Sequence, residues 1–404
     1  MHRVVSLPLK RLAFTISEVC RRSLTGSASS LEANSAGSHL LSEVDVNVVS
    51  AFFDADYYLS CNVDVAEALV DPLDHYRLNG WIENRDPSRN FDNRFYRAMH
   101  SSSADYSSPL DHYASSPNRQ LLPRSLGELV ESKRFGRKLS TYSTNDFLKA
   151  LKRQVPIATS KPYSPRYLIK YLSASEKLNA FAVNVAVILD SFLQSSVTAL
   201  IEEGVVLLNG ENARVRLQMT KALHAEGDLT LSLESRGESI YELSFSIIEV
   251  GKLLGETSQL RRPALLISRL QGVKGGIESH KDISANFGGV QLPLILLSSA
   301  QGIADALGLV KMYGVLASHQ LSFQDSQECG IVKAYNDFFA LHGGMPVGRG
   351  LFELTSEVSG GSAAGSAAHR RRARRRRGTR SALRQRVRET IAAAMCTPES
   401  AEES

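Results

Sequence analysis

Between residues 48 and 120 the chain repeats itself. Phe53-Asp54 and Tyr58 recur as Phe91-Asp92 and Tyr96, and Pro72-Leu73-Asp74-His75-Tyr76 recurs as Pro109-Leu110-Asp111-His112-Tyr113, a period of 37 to 38 residues. Two blocks in the same order constrain the fold, because a repeat of this length is one supersecondary unit that buries its apolar face against its neighbour. Asp71 and Ser108 stand at N-cap positions, each followed by proline at the first helical position. Asp54 and Asp92 are expected to cap the helices before them, and Asn84 suits a left-handed residue that ends a helix. The expectation is a pair of helical hairpins around a small core of Phe, Tyr and Trp. His75 and His112 are read as packing at helix ends rather than holding a metal, since no carboxylate or cysteine recurs near them in ligand spacing.

Charge divides the chain unevenly. Residues 361–404 carry eleven arginines against four glutamates, a net +7, so the overall +5 leaves −2 for everything before them. The run Arg370, Arg371, Arg372, Arg374, Arg375, Arg376 and Arg377 has no interleaved aromatic residue. It predicts weak, sequence-independent attraction to nucleic acid or anionic lipid, or else a solubilising tail. Cys20, Cys61, Cys329 and Cys396 are scattered singly, which points to a reduced setting and away from a cysteine metal site. No stretch approaches 18 apolar residues, so no transmembrane segment is expected.

At 404 residues two or three domains are expected. We divide the chain into a disordered basic N-terminus (1–47), the helical repeat module (48–120), a linker rich in Ser, Pro, Arg and Lys (121–162), a folded domain (163–356) and a disordered arginine-rich tail (357–404). In the folded domain, Ser173 with Glu176 forms a capping box that opens a helix with Leu178, Phe181, Val185, Ile188 and Phe192 on one face. Strands follow at Val205 to Leu208, at Val215 to Met219, and as a hairpin of Leu229-Leu231-Leu233 against Tyr241-Leu243-Phe245-Ile247. The block from Leu265 to Thr355 then reads strand, glycine-rich turn, helices, strand, helix, strand. The fold class is α+β: an antiparallel sheet with helices and a C-terminal strand-helix-strand unit, preceded by a small all-α module.

The landmarks of residues 155 to 356 are Leu270-Gln271-Gly272, Ala304-Asp305-Ala306-Leu307-Gly308, the strand Val310 to Ala317, Tyr335, Phe338 and Phe339, Gly343-Gly344 and Leu351-Phe352-Glu353-Leu354. In these, and in Pro165 to Leu172 read as an opening helix, the chain resembles the VirK/YbjX-type bacterial proteins. Where those proteins carry Thr-Lys, His-Gly and Arg-Pro-Lys, this chain has Ser284-Ala285, Gly288-Gly289 and Gln291-Leu292-Pro293. The resemblance implies a cytoplasmic or membrane-peripheral protein linked to envelope maintenance, virulence-factor production or antimicrobial-peptide tolerance, with no reaction assigned. The first repeat resembles short repeats found beside bacterial glycosyltransferases, which implies an envelope or polysaccharide-assembly partner.

Chemistry has two candidate places. In Arg269-Leu270-Gln271-Gly272-Val273-Lys274-Gly275-Gly276 a strand runs into glycines and then a helix, which offers free backbone N–H groups to a phosphate or pyrophosphate. The turn resembles that of CoA-dependent N-acetyltransferases, with Arg269 and Gly272 fitting and Lys274 at a small-residue position; the competing reading is a turn that needs glycine for geometry alone. His319, after a strand, is the candidate base, with Asp325 or Glu328 to orient it. Three readings stay open: a family member of unassigned activity, a CoA-dependent acyltransferase acting on an envelope component, and a non-catalytic adaptor with a basic tail that binds nucleic acid or membrane.

Overall fold

The computed structural model describes residues 44–134, 143–222, 226–249, 251, 262–273, 280–321, 329–354 and 367–395, all in one contact unit, Ser42–Ser404. In the repeat region short capped helices follow one another: α1 (Val46–Ser50), α2 (Ala55–Cys61), α3 (Val63–Ala68), α4 (Pro72–His75), α5 (Asn93–Met99) and α6 (Pro109–Ser115). Asp71 and Ser108 cap the two proline-led helices. Asp54 and Asp92 cap α2 and α5, the helices after them and not those before; their side chains accept from Tyr57 N and Phe95 N. The reason is that both have extended backbone, as an N-cap requires.

Like residues of the two copies hold like partners. Tyr58 Oη lies 2.9 Å from His75 Nδ1, and Tyr96 Oη lies 2.7 Å from His112 Nδ1. Around them Tyr58, Tyr76, Phe91, Tyr96, Leu110 and Tyr113 form a core separate from that of the larger domain. His112 is buried and also meets Ser102 Oγ at 3.0 Å, whereas His75 is only partly buried. Tyr96→Phe is therefore expected to destabilise by about 1–3 kcal/mol, and Tyr58→Phe by about 1 kcal/mol or less, because only the first strands a buried ring nitrogen. Urea unfolding of the two variants side by side checks that order.

The segment read as a linker is folded. Helices α7 (Leu126–Lys133), α8 (Thr144–Gln154) and α9 (Pro156–Ser160) occupy it, and Leu129, Val130, Phe147 and Leu151 enter the main core. Two of its serines are caps: Ser125 and Ser143 accept from Glu128 N and Asp146 N. A second expectation also fails. Pro165 to Leu172 is not a helix; Leu168 and Tyr171 have φ of 63° and 70°. The segment spends its backbone donors elsewhere, Leu168 N on Glu226 O and Lys170 N on His319 O.

The capping box of Ser173 with Glu176 opens α10 (Ala174–Ser191), and α11 (Gln194–Glu202) follows. Next comes the antiparallel run β1 (Val205–Asn209), β2 (Ala213–Met219), β3 (Leu229–Ser235), β4 (Glu238–Glu249) and β5 (Pro263–Gly272). The β3–β4 hairpin turns on Arg236-Gly237, both left-handed, as the twist of a two-residue hairpin demands. A parallel neighbour for β5 needs a crossover. It is made by α12 (His280–Asn286) and α13 (Leu292–Ala306), which lead to β6 (Met312–Val315). Helix α14 (Cys329–Leu341), β7 (Gly344–Val347) and β8 (Leu351–Leu354) complete an eight-stranded sheet of order β1-β2-β3-β4-β5-β6-β8-β7 among the described residues.

The tail is not disordered over its described part: Ala367–Ala394 form a 28-residue helix, α15, packed on α13 and β1. Leu383, Val387 and Ile391, four residues apart, make a narrow apolar stripe that is buried. A Cβ at Gly302 of α13 would lie 2.8 Å from Val387 Cβ, so the two helices close only over a glycine. The stripe lies in the short helix that the sequence suggests near Leu383 to Met395, and the arginine run before it hides the helix's N-terminal half.

Candidate functional site

The parallel pair β5–β6 is short. Leu265, Leu266 and Ile267 pair with Met312, Tyr313 and Gly314, after which β5 continues five residues to Gly272 while β6 ends at Val315. Past Val315 the chain turns towards β8, with Leu316 N donating to Gly350 O. The two strands thus part, and from Ser268 onward β5 is paired only with β4. A register shift in the β4–β5 ladder, between Ser244 and Phe245, leaves Ser268 as an extra residue at the point of parting. Such a bulge bends a strand and re-aims its side chains.

One face of the sheet at this place is polar although it is covered. The register sets Thr230 beside Ser244, Ser232 beside Glu242, Ser244 beside Arg269 and Glu242 beside Gln271. Thr230, Ser232, Ser244 and Ser246 are all buried. Alternation in a sheet with one wet side would send such residues to water. Burial of polar groups is costly unless they are hydrogen-bonded. Arg269 is held in place, with Nη2 donating to Gln271 Oε1 at 2.7 Å and Nη1 lying 3.9 Å from Glu242 Oε2.

Further along the same face lies a buried ionic group. Lys161 Nζ donates to Gly227 O at 3.0 Å, and Tyr167 Oη donates to Asp228 Oδ2 at 2.8 Å. Ser246 Oγ accepts from Asp228 N at 2.9 Å, and Glu226 accepts from Leu321 N at 3.3 Å. Burial pushes Asp228 up to about 6, against hydrogen bonds from Ser246 and Tyr167 and the charge of Lys161. Burial pulls Lys161 down to about 8, against the carboxylates of Asp228 and Glu226. Both groups therefore titrate far nearer neutrality than in water.

Helix α14 packs on the turn after β6 and on β7 and β8. Phe339 packs directly on Gly314, the last residue of β6 paired with β5; a Cβ there would lie 2.8 Å from its ring. Tyr335, one turn earlier, carries its phenol on past the end of the pairing, to where Glu226, Gln320, Tyr241 and Arg269 influence it. Burial, and then the Glu226 carboxylate, raise the Tyr335 phenol well above its ordinary value, so it stays protonated. Tyr335 Oη, Gln320 Nε2 and Arg269 Nη1 are buried without a hydrogen-bond partner among the described residues. The Tyr335 phenol and Gln320 lie close enough to interact with each other and Arg269 Nη1 faces Glu242, so this is a loosely paired buried polar cluster.

Of the residues singled out in the sequence, Arg269, Gln271 and Gly272 lie on the free end of β5. Lys274, Gly275 and Gly276 lie outside the described residues, as do Asp325 and Glu328. His319 sits in the turn after β6, one residue before Gln320. Its Nδ1 lies 3.1 Å from Ser318 Oγ, and its ring meets Tyr171 edge-on at 5.8 Å. No carboxylate bonds to its ring among the described residues. Arg371, Arg372, Arg374, Arg375, Arg376 and Arg377 are exposed on α15; Arg370 lies on the same helix. Sequence reasoning missed Lys161, Glu226, Asp228 and Gln320 as site residues, and took Tyr167 and Tyr335 only as landmarks. The available signal was the run of Thr, Ser and Glu at alternate positions of β3 and β4, between strands that carry leucine and phenylalanine at the others.

A family model described as a protein of unknown function (DUF535) matches residues 120–393, about two thirds of the chain. No curated protein and no solved structure matches it. The matched span runs through the helices read as a linker and takes in all but the last residue of α15. Among the described residues no helix is long and apolar enough to cross a membrane.

Proposed function

The chain belongs to the DUF535 family of proteins of unknown function, and we propose that its α+β domain is an acyltransferase that takes a CoA-type thioester as donor. The parting of β5 from β6 is the observation that carries this reading. It leaves the edge of Ser268–Gly272 free of a β6 partner, and an extended arm bearing amide groups can bond to such an edge as an added strand does. The same strand leads into the glycine-rich segment that would cradle the donor's pyrophosphate, with Gln271 and Gly272 at its start. The loosely paired atoms of Tyr335, Gln320 and Arg269 fit a polar ligand at the inner end of that slot.

In the transfer, an amine or hydroxyl of the acceptor attacks the thioester carbonyl, the C–S bond breaks, and the departing sulfur takes a proton. Tyr335, whose phenol burial keeps neutral, would supply it. The acceptor's proton would leave to Glu226 or, by way of the turn after β6, to His319. The resemblance to VirK/YbjX-type proteins supplies the setting: the acceptor is an envelope component, and the activity serves envelope maintenance, virulence-factor production or antimicrobial-peptide tolerance. The repeat module would dock the enzyme to a polysaccharide-assembly partner.

The test is thermal unfolding of the full chain with CoA and with acetyl-CoA. A ligand at one hundred times its Kd stabilises by about 2.7 kcal/mol, so a dose-dependent rise in midpoint is expected. Gly272→Val should abolish the rise, since even a bare Cβ there comes within 3.3 Å of the Tyr241 ring. Tyr335→Phe should keep it while removing transfer. No shift at millimolar ligand sinks the reading.

A further inference from the structure

We propose that the N-terminal half of α15 is a binding helix for double-stranded nucleic acid, acting independently of the acyl-transfer site. The helix has two unlike halves. From Arg380 onward it is docked: Leu383, Val387 and Ile391 are buried, Arg380 is buried beside them, and Arg384 Nη2 donates to Asp305 Oδ1 at 2.6 Å. Before Arg380 the described side chains are exposed on all sides save the half-covered Thr379, and a Cβ at Gly378 would touch nothing. Six of those exposed side chains, Arg371, Arg372, Arg374, Arg375, Arg376 and Arg377, are guanidinium groups.

This arrangement is unfavourable on its own. Arg371 and Arg375, and likewise Arg372 and Arg376, are four residues apart and repel one another across one turn. Cations near a helix N-terminus also oppose its dipole. No acidic residue lies between Ala367 and Thr379 to relieve either effect, and no salt bridge involves these arginines among the described residues. A polyanion would remove both penalties. The distribution decides which polyanion. A helix that lies on a bilayer needs an apolar face to bury, and between Arg371 and Gly378 the residues other than arginine are Ala373 and Gly378. Charge on every face suits a groove with phosphates on both walls. A helix about 10–12 Å across fits a major groove about 12 Å wide. With no Asn, Gln or aromatic residue among them, the arginines bind without sequence preference.

The experiment is fluorescence anisotropy of a labelled DNA duplex titrated with the full chain at several salt concentrations. Six phosphate contacts predict a log–log salt slope of roughly −5, at non-specific affinities near 10⁻⁴–10⁻⁶ M in physiological salt. The six-site Arg→Gln variant keeps helix-forming side chains and should melt as the parent does, yet lose binding by about a hundredfold or more and flatten the slope. Arg386→Gln with Arg388→Gln, exposed on the docked half, should lower the slope by no more than about 2. Hydrogen exchange of residues 371–378 should slow when duplex is added. Binding retained by the six-site variant, or a slope near zero, overturns the proposal. So does tighter binding to vesicles of phosphatidylglycerol than to duplex, with the same six arginines required.

Discussion

Through Asp228 the fold is expected to lose stability as pH rises from 4 to 6, and through Lys161 to gain it as pH rises from 8 to 10.5. Asp228 sits at about 6 in the fold against an ordinary 3.8. Between those values the folded state keeps a proton that the unfolded chain has lost, so stability falls as pH rises through the window. Lys161 sits at about 8 against an ordinary 10.5. Between those values the folded state has lost a proton that the unfolded chain keeps, so stability rises with pH there. Each shift corresponds to about 3 kcal/mol. Asp86, also lifted to about 6 by burial, adds to the acid limb, while His342, pulled down to about 4 by burial, opposes it, since there the unfolded chain holds the proton. The contribution of one group is therefore read from variants. Urea unfolding at pH 4, 6, 8 and 10 should show the acid limb reduced in Asp228→Asn and the alkaline limb reduced in Lys161→Met, where Lys177, also lowered by burial, still contributes.

The same pair predicts an asymmetry at pH 7. Asp228→Ala leaves the ammonium of Lys161 buried with less opposing charge, and breaking a buried pair in this way costs about 3–5 kcal/mol. Lys161→Met removes the charge that lowers Asp228, so the carboxyl takes up a proton more readily and keeps its bond with Tyr167, whereas Asp228→Ala also strands the Tyr167 hydroxyl. The lysine variant should be the more stable of the two by at least about 1 kcal/mol. Equal losses would mean that the Tyr167 hydrogen bond, and not the charge of Lys161, sets the state of Asp228.

How much of this was legible depends on what each residue answers to. Strands β1 to β4 and helix α10 were visible because local signals agreed: the Ser173 box, the alternation of Leu229, Leu231 and Leu233, and the turn at Arg236-Gly237 all point the same way. Lys161 and Asp228 were not visible. They lie 67 positions apart, and only the fold of 161–172 across the start of β3 makes them neighbours. The segment around Tyr167 was misread as a helix for a related reason. Its spacing of apolar residues suits a helix, but its donors find better acceptors on Glu226 and His319. The serines at 125 and 143 looked like linker composition and are helix caps, a distinction that composition cannot make. The strand-helix-strand unit was legible as an order of elements, while the parting of β5 from β6 was not, since it depends on where a four-residue strand stops.

Val387→Asp is expected to have the second large effect, and it separates the two halves of α15. Val387 is fully buried, facing Gly302, and a carboxylate there has no partner. Burying it would cost several kcal/mol, so the chain should undock the helix instead, which forfeits the burial of Leu383, Val387 and Ile391 at about 1.5–3 kcal/mol each. The expected result is a loss of roughly 4 kcal/mol or more in urea unfolding, with amides of residues 383–391 exchanging as freely as an unfolded segment. Arg384→Gln, which removes the contact with Asp305, should cost about 1 kcal/mol and leave that protection in place. The six arginines ahead of the docked half contribute nothing to this anchorage, so their replacement should leave both numbers unchanged. If Val387→Asp instead left exchange at 383–391 slow, the stripe would not be what holds α15 to α13. Another contact would then anchor the helix, and the exposed arginines would keep the fixed base from which it projects.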